Sequence, residues 1–185
     1  EHRASPAAAP LIVVDRVTRT YANGTVALAD VSFRVDQGQF VSLVGPTGCG
    51  KSTLLNAAAG LLQPTSGRVS VFGQPLAGVN RDAGYLFQAD ALFPWRNALN
   101  NVTAGLEFRG VAKDEARARA VEWLTRVGLA QHMAKYPHEL SGGMRKRVSL
   151  ARAVVAQPYA LLYDEPTTGL DPISTASIDR LIMAA

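Results

Sequence analysis

The run Gly45-Pro46-Thr47-Gly48-Cys49-Gly50-Lys51-Ser52 constrains this chain more than any other feature, because it dictates a strand, a tight turn and a helix in that order. Upstream, Phe40 to Val44 is a short apolar run with the composition of a buried strand. Downstream, from Lys51 through Thr53 to Ala59, the residues are mostly helix formers, and Gly60 stops them. Glycines at this spacing let backbone N–H groups turn inward around an anion, while the helix N-terminus adds a favourable dipole. A helix end contributes about 1 to 2 kcal/mol, whereas micromolar binding needs about 8, so a cation and a metal must share the load. Lys51 is the expected cation on the β- and γ-phosphates of a nucleotide, and the Ser52 hydroxyl is the expected Mg²⁺ contact. ATP with Mg²⁺ is the ligand that residues Gly45 to Thr53 are expected to take.

A second metal contact should be an acid at the end of a buried strand, and Ala160-Leu161-Leu162-Tyr163-Asp164-Glu165 provides one. Asp164 is the expected Mg²⁺ residue. Glu165 is placed to orient or deprotonate an attacking water, a role typically worth about 10² to 10⁴ in rate.

Around these sites the hydrophobic pattern sets an α/β organisation. Leu11 to Val17 and Val31, Phe33 and Val35 alternate as strands, and Arg68 to Phe72, Ala83 to Phe87 and Tyr159 to Tyr163 read as further strands. Between Gln88 and Gln157 the composition is helical. There Ala116, Ala120, Leu124 and Val127 recur at helical spacing, with Gly128 as the expected cap. Ile173 to Ala185 reads as a last helix. The expected division is a tail over 1–10, an ATP-binding core over 11–87, a helical subdomain over 88–157, and a return to the core over 158–185.

Composition narrows the class without choosing a partner. With 48% hydrophobic and 18% charged residues, 185 residues suit a globular domain rather than a disordered chain. The net charge of +4 suits nucleic acid, an anionic surface or nucleotide phosphate equally well. The single cysteine, Cys49, excludes a disulfide framework within the chain and a cysteine metal cluster, which fits a reducing compartment. A thiol beside a helix start and Lys51 is expected to be reactive, with ATP protecting it. No apolar run of about 18 residues is present, so a membrane role must come through a partner.

A further glycine-rich helix start, Leu140-Ser141-Gly142-Gly143-Met144, followed by Arg145-Lys146-Arg147-Val148-Ser149-Leu150-Ala151-Arg152, resembles the signature of ATP-binding-cassette ATPases. Met144, Val148, Ala151 and Val155 form an apolar stripe, which is expected to leave the Arg and Lys residues outside. The resemblance covers about Leu11 to Ala185. It implies a RecA-like phosphate-loop core with an antiparallel β portion and an inserted helical subdomain. It also implies a head-to-tail dimer, in which the phosphate loop of one copy and Ser141, Gly142 and Gly143 of the other enclose each ATP. By the same resemblance Tyr21 stacks on adenine, Gln88 links the γ-phosphate and metal to the helical subdomain, and Asp171 crosses the dimer interface.

Met144 and the stretch Ala91-Leu92-Phe93-Pro94-Trp95-Arg96 resemble the nitrate, sulfonate and taurine importer branch. Tyr163 to Ser174 instead looks like ATPases of lipid-trafficking systems. A soluble cassette ATPase without a transport role is a further alternative. The family's γ-phosphate histidine lies beyond Asp171, whereas His2, His132 and His138 all precede it, so a C-terminally incomplete chain is expected. The resemblance implies an ATPase subunit held at the cytoplasmic face of the inner membrane by permease subunits, served indirectly by a substrate-binding protein, with no nucleic acid. Phe93 and Trp95 are candidates for the permease docking cleft, with ordinary core packing as the alternative.

Overall fold

Alternating apolar residues and Thr-rich edges make the first half of the chain a sheet, and long alanine- and leucine-rich periods make the second half helical. The computed structural model describes residues 9–168, 170 and 172–183. Most of the expected N-terminal tail, including His2, lies outside the described residues, as does Asp171. The described chain falls into two compact units, Glu1–Ala83 and Gly84–Ala185.

In the first unit, β1 (Ile12–Thr20), β2 (Val26–Val35), β3 (Ser66–Val71) and β4 (Gln74–Pro75) form an antiparallel sheet in the order β2-β1-β3-β4. β1 is central, and Ile12, Val14 and Val17 are its buried residues. The step of three from Val14 to Val17 breaks strict alternation because the register shifts there and Arg16 adopts a positive φ of 48°. Val69 and Val71 of β3 and Leu28 of β2 are buried as well. Helix α1 (Lys51–Ala58) buries Leu54, Ala57 and Ala58 and ends before Gly60, as its composition predicts.

One expected strand does not form. Phe40 to Val44 joins neither sheet among the described residues, and Phe40, Val41 and Val44 are exposed, Val44 to 92%. Its composition matches a strand buried on both faces, but a strand also needs neighbours that offer backbone partners. The sheet of this unit is completed by β1 to β4 without it.

The second unit packs α2 (Ala98–Glu107), α3 (Lys113–Arg126) and α4 (Gly142–Val154) around one core. Leu99, Val102 and Leu106 of α2 meet Ala116, Ala120 and Leu124 of α3 and Val148 and Ala151 of α4. α3 ends as its sequence predicts. Gly128 (φ 76°) donates to Thr125 O and Leu129 donates to Leu124 O, the paired bonds that a left-handed glycine allows at a helix end. β5 (Ala83–Leu86) and β6 (Ala160–Tyr163) form a two-stranded parallel sheet, packed through Leu86 against Leu150 and Val154 of α4. α5 (Pro172–Met183) starts on a proline, which supplies a helical φ where no N–H partner is needed, and buries Ile178.

Candidate functional site

The phosphate-loop residues lie in the first unit and are shaped by their own chain. Gly48 (φ 82°) and Gly50 (φ 97°) take left-handed backbone, and Cys49 N donates to Pro46 O at 3.3 Å. Gly50 is the N-cap of α1, and Leu54 N donates back to its carbonyl at 2.9 Å. A Cβ at Gly50 would stand 2.4 Å from Ala27 O and 3.1 Å from Leu28 Cδ2, so only glycine lets the loop sit this closely on β2. The Lys51 ammonium turns back over the loop and donates to Gly45 O at 2.9 Å and Pro46 O at 3.0 Å. The helix start and the lysine are thus held together by a backbone that no larger residue at Gly50 could adopt. Thr47 and Cys49 are exposed, with Cys49 a free thiol, and Ser52 and Thr53 lie on the first turn of α1. Tyr21 stands in the β1–β2 turn, partly exposed, with the Arg19 guanidinium 5.1 Å from its ring centroid.

The second unit gathers Gln88, Asp164 and Glu165. Asp164 follows β6 and is buried to 7% exposure, and its N–H donates to Leu86 O at 2.9 Å, which aligns the C-terminal ends of β5 and β6. Glu165 adopts φ 46° and accepts from Gln88 Nε2 at 3.0 Å and Thr168 Oγ1 at 3.1 Å, both on Oε2. A left-handed non-glycine residue costs about 1 to 2 kcal/mol, and such strain persists where surrounding bonds hold it. The Tyr85 hydroxyl is buried without a hydrogen bond of ordinary geometry, and burial first, then the Asp164 charge, raises its pKa. Tyr163, on the last position of β6, is pushed up to about 12 by burial.

Ser141 is the N-cap of α4, and its Oγ accepts from Met144 N at 3.3 Å; Gly142 and Gly143 form the first turn. The serine thus satisfies one of the otherwise unpaired amides of the helix start, a cap worth about 1 kcal/mol. Phe93 stacks tilted on Trp95 at 5.6 Å, and Trp95 is 72% exposed.

One expectation about α4 fails. Its basic residues do not all face outward: Lys146 is 4% exposed, and Arg145 and Arg152 lie against the segment after Gln88. The apolar stripe places Lys146 next to the core, and its ammonium is accepted there because it meets the carbonyls of Phe87 and Gln88 and the carboxylate of Asp90. Thr168 and Asn101 are not among the residues that the sequence singles out. Asn101, fully buried on α2, accepts from Phe93 N and donates to the carbonyls of Phe93, Arg96 and Asn97. Only a polar residue inside an apolar helical face, Leu99-Asn100-Asn101-Val102, hinted at it.

No group of three or more His, Cys, Asp or Glu suited to a metal occurs among the described residues. The hydroxyl, carboxylate and amide oxygens of Ser52, Asp164 and Gln88 are hard donors of the kind Mg²⁺ takes when phosphate oxygens and waters complete its shell. No helix among the described residues is long and apolar enough to cross a membrane.

The fold and the loop geometry define a phosphate-loop NTPase domain. Residues 28–168 match the ABC transporter family, and the chain belongs to it. It is 42% identical over 172 residues to the uncharacterized ABC transporter ATP-binding protein YtlC of Bacillus subtilis, covering 91% of this chain and 66% of that one. It is 48% identical over 157 residues to the taurine import ATP-binding protein TauB of Burkholderia pseudomallei, covering 85% and 60% respectively. The TauB protein of Rhizobium johnstonii is 43% identical over 164 residues, with 89% and 63% covered. The chain therefore spans less than two thirds of the length of these relatives. Among solved structures, the dimeric post-hydrolysis state of the ATP-binding cassette MJ0796 bound to ADP and Pi superposes with a TM-score of 0.84 at 35% identity, over 92% of this chain and 81% of that one.

Proposed function

We propose that this chain is the ATP-binding and ATP-hydrolysing part of a membrane importer for substrates of the nitrate, sulfonate or taurine type. The observation that carries the proposal is the phosphate loop, with Lys51 folded over carbonyls that frame a helix N-terminus. In this reading the loop from Gly45 to Thr53 cradles the phosphates through the backbone N–H groups of its residues other than Pro46, Lys51 exchanges its two carbonyl partners for phosphate oxygens, and Tyr21 stacks on adenine. Ser52, Asp164 and Gln88 would hold Mg²⁺, which when bound would neutralise charge on the transferring phosphoryl group. Glu165 orients the attacking water and takes its proton. Its carboxylate is pre-positioned by the amide of Gln88 and the hydroxyl of Thr168.

A second copy is proposed to supply Ser141, Gly142 and Gly143 to each nucleotide, with Asp171 crossing the interface. The helical subdomain over 88–157 is proposed as the part that carries Phe93 and Trp95 to the permease subunits. The assembly then lies at the cytoplasmic face of the membrane, fed by a substrate-binding protein. The names of the taurine import relatives support the importer branch, and the Tyr163 to Ser174 stretch motivates lipid trafficking as a second reading. Uptake of radiolabelled taurine and nitrate by cells carrying Lys51→Ala in place of the natural chain separates them. Loss of uptake of either compound supports the importer; unchanged uptake of both with altered phospholipid distribution supports lipid trafficking.

A further inference from the structure

The segment after Gln88 is not a free loop. α4 reaches it with Arg145, Lys146, Ser149 and Arg152, residues that recur on one side of the helix. Arg145 Nε donates to Asp90 Oδ2 at 2.9 Å. Ser149 Oγ donates to Asp90 O at 2.6 Å, and Arg152 donates to Ala91 O at 2.7 Å and Asp90 O at 3.3 Å. Lys146 Nζ donates to Phe87 O at 3.1 Å and to Gln88 O, and stands 3.7 Å from Asp90 Oδ1. The carbonyls of Phe87, Gln88, Asp90 and Ala91 are therefore all held by one helix. Ala91, at φ 47°, is the strained end of the grip.

Within this grip the two ends of Gln88 behave differently. Its carbonyl is fixed by a lysine with almost no solvent exposure, while its exposed side chain reaches the Glu165 carboxylate. A buried ammonium is costly unless its partners are in place, so Lys146 ties the conformation of the Phe87-Gln88 backbone to the position of α4. Desolvation lowers the Lys146 pKa and Asp90 opposes the shift, as expected for a charge held inside by its partners.

We infer that Lys146 is a positioning residue for hydrolysis: by fixing the Gln88 carbonyl it aims the Gln88 amide at Glu165, and it links that aim to the helix whose first turn carries Ser141 to Gly143. The inference rests on the proposed roles of Gln88 and Glu165. It goes beyond them in assigning a role to a buried lysine whose partners are the Phe87 and Gln88 carbonyls and the Asp90 carboxylate.

The test is a double-mutant cycle on the purified full-length protein, with steady-state MgATPase kinetics of the natural chain, Lys146→Met, Gln88→Ala and the pair, and thermal melting of each. Lys146→Met removes the donor and keeps an unbranched apolar stem one atom shorter. The expected result is a kcat about 10-fold lower with KM for MgATP within about 2-fold, and little further loss when Lys146→Met is added to Gln88→Ala. Lys146→Gln, which retains an N–H donor, is expected to recover part of kcat. Losses that multiply in the double variant, or a fall in kcat that merely follows a lowered melting temperature, would show a structural role and overturn the inference. If Gln88→Ala alone is silent, the proposed role of Gln88 fails together with the inference. If Gln88→Ala is impaired and Lys146→Met is not, only the inference fails.

Discussion

The two loops proposed to meet the nucleotide are built in opposite ways. Gly45 to Ser52 is shaped from within: its glycines set the backbone and Lys51 closes it on carbonyls only five and six residues away. Phe87 to Ala91 is shaped from outside, by side chains of α4 that lie 55 to 62 residues further along the chain. A locally built loop can bind wherever its helix goes. A loop held by a distant helix moves only when that helix moves, so the second arrangement suits a group that must report the position of another element.

Perturbations that separate the two should have effects of different kinds. Glu165→Gln, at the receiving end of the gripped loop, is expected to lower kcat by about 10² to 10⁴ while leaving MgATP bound, as read by phosphate release beside filter retention of labelled ATP. Retention falling with kcat would mean that Glu165 serves binding, and the contrast between the loops would blur. Asn101→Ala removes side-chain bonds to four backbone groups between Phe93 and Asn97, of which Phe93 O and Asn97 O keep the backbone donors Arg96 N and Asn101 N, and should cost about 1 to 3 kcal/mol in urea unfolding. Its effect on MgATP affinity should be small, since the phosphate loop does not depend on it. Gly50→Ala forces a Cβ against Ala27 O at a left-handed φ and should cost about 1 to 3 kcal/mol, with weaker nucleotide binding by titration calorimetry. Ser141→Ala removes an N-cap, and a loss of about 1 kcal/mol in unfolding free energy is expected.

The same contrast explains what the sequence made legible. A loop whose geometry comes from its own glycines announces itself by spacing, and the strand-to-acid run before Asp164 does so by its apolar content. Gly128 as the cap of α3 was readable for the same local reason. The grip on Gln88 was not, because Arg145, Lys146, Ser149 and Arg152 look like the solvated side of an amphipathic helix until a segment far away in sequence is packed there. Lys146 in particular contradicts the rule that a charge beside an apolar stripe faces water, and only its carbonyl and carboxylate partners explain the exception. Phe40 to Val44 failed in the other direction: apolar composition specifies a tendency to be covered, while strand pairing depends on which backbone is available beside it.

The most direct test of the account is equilibrium binding of MgATP to the natural chain and to Lys51→Ala by calorimetry. Removing the one side-chain cation that the loop folds over itself should weaken binding by about 100-fold or more, in line with the loss of strong charge-assisted bonds to phosphate. Equal affinity in the two proteins would place the nucleotide elsewhere and contradict the assignment of the Gly45 to Ser52 loop.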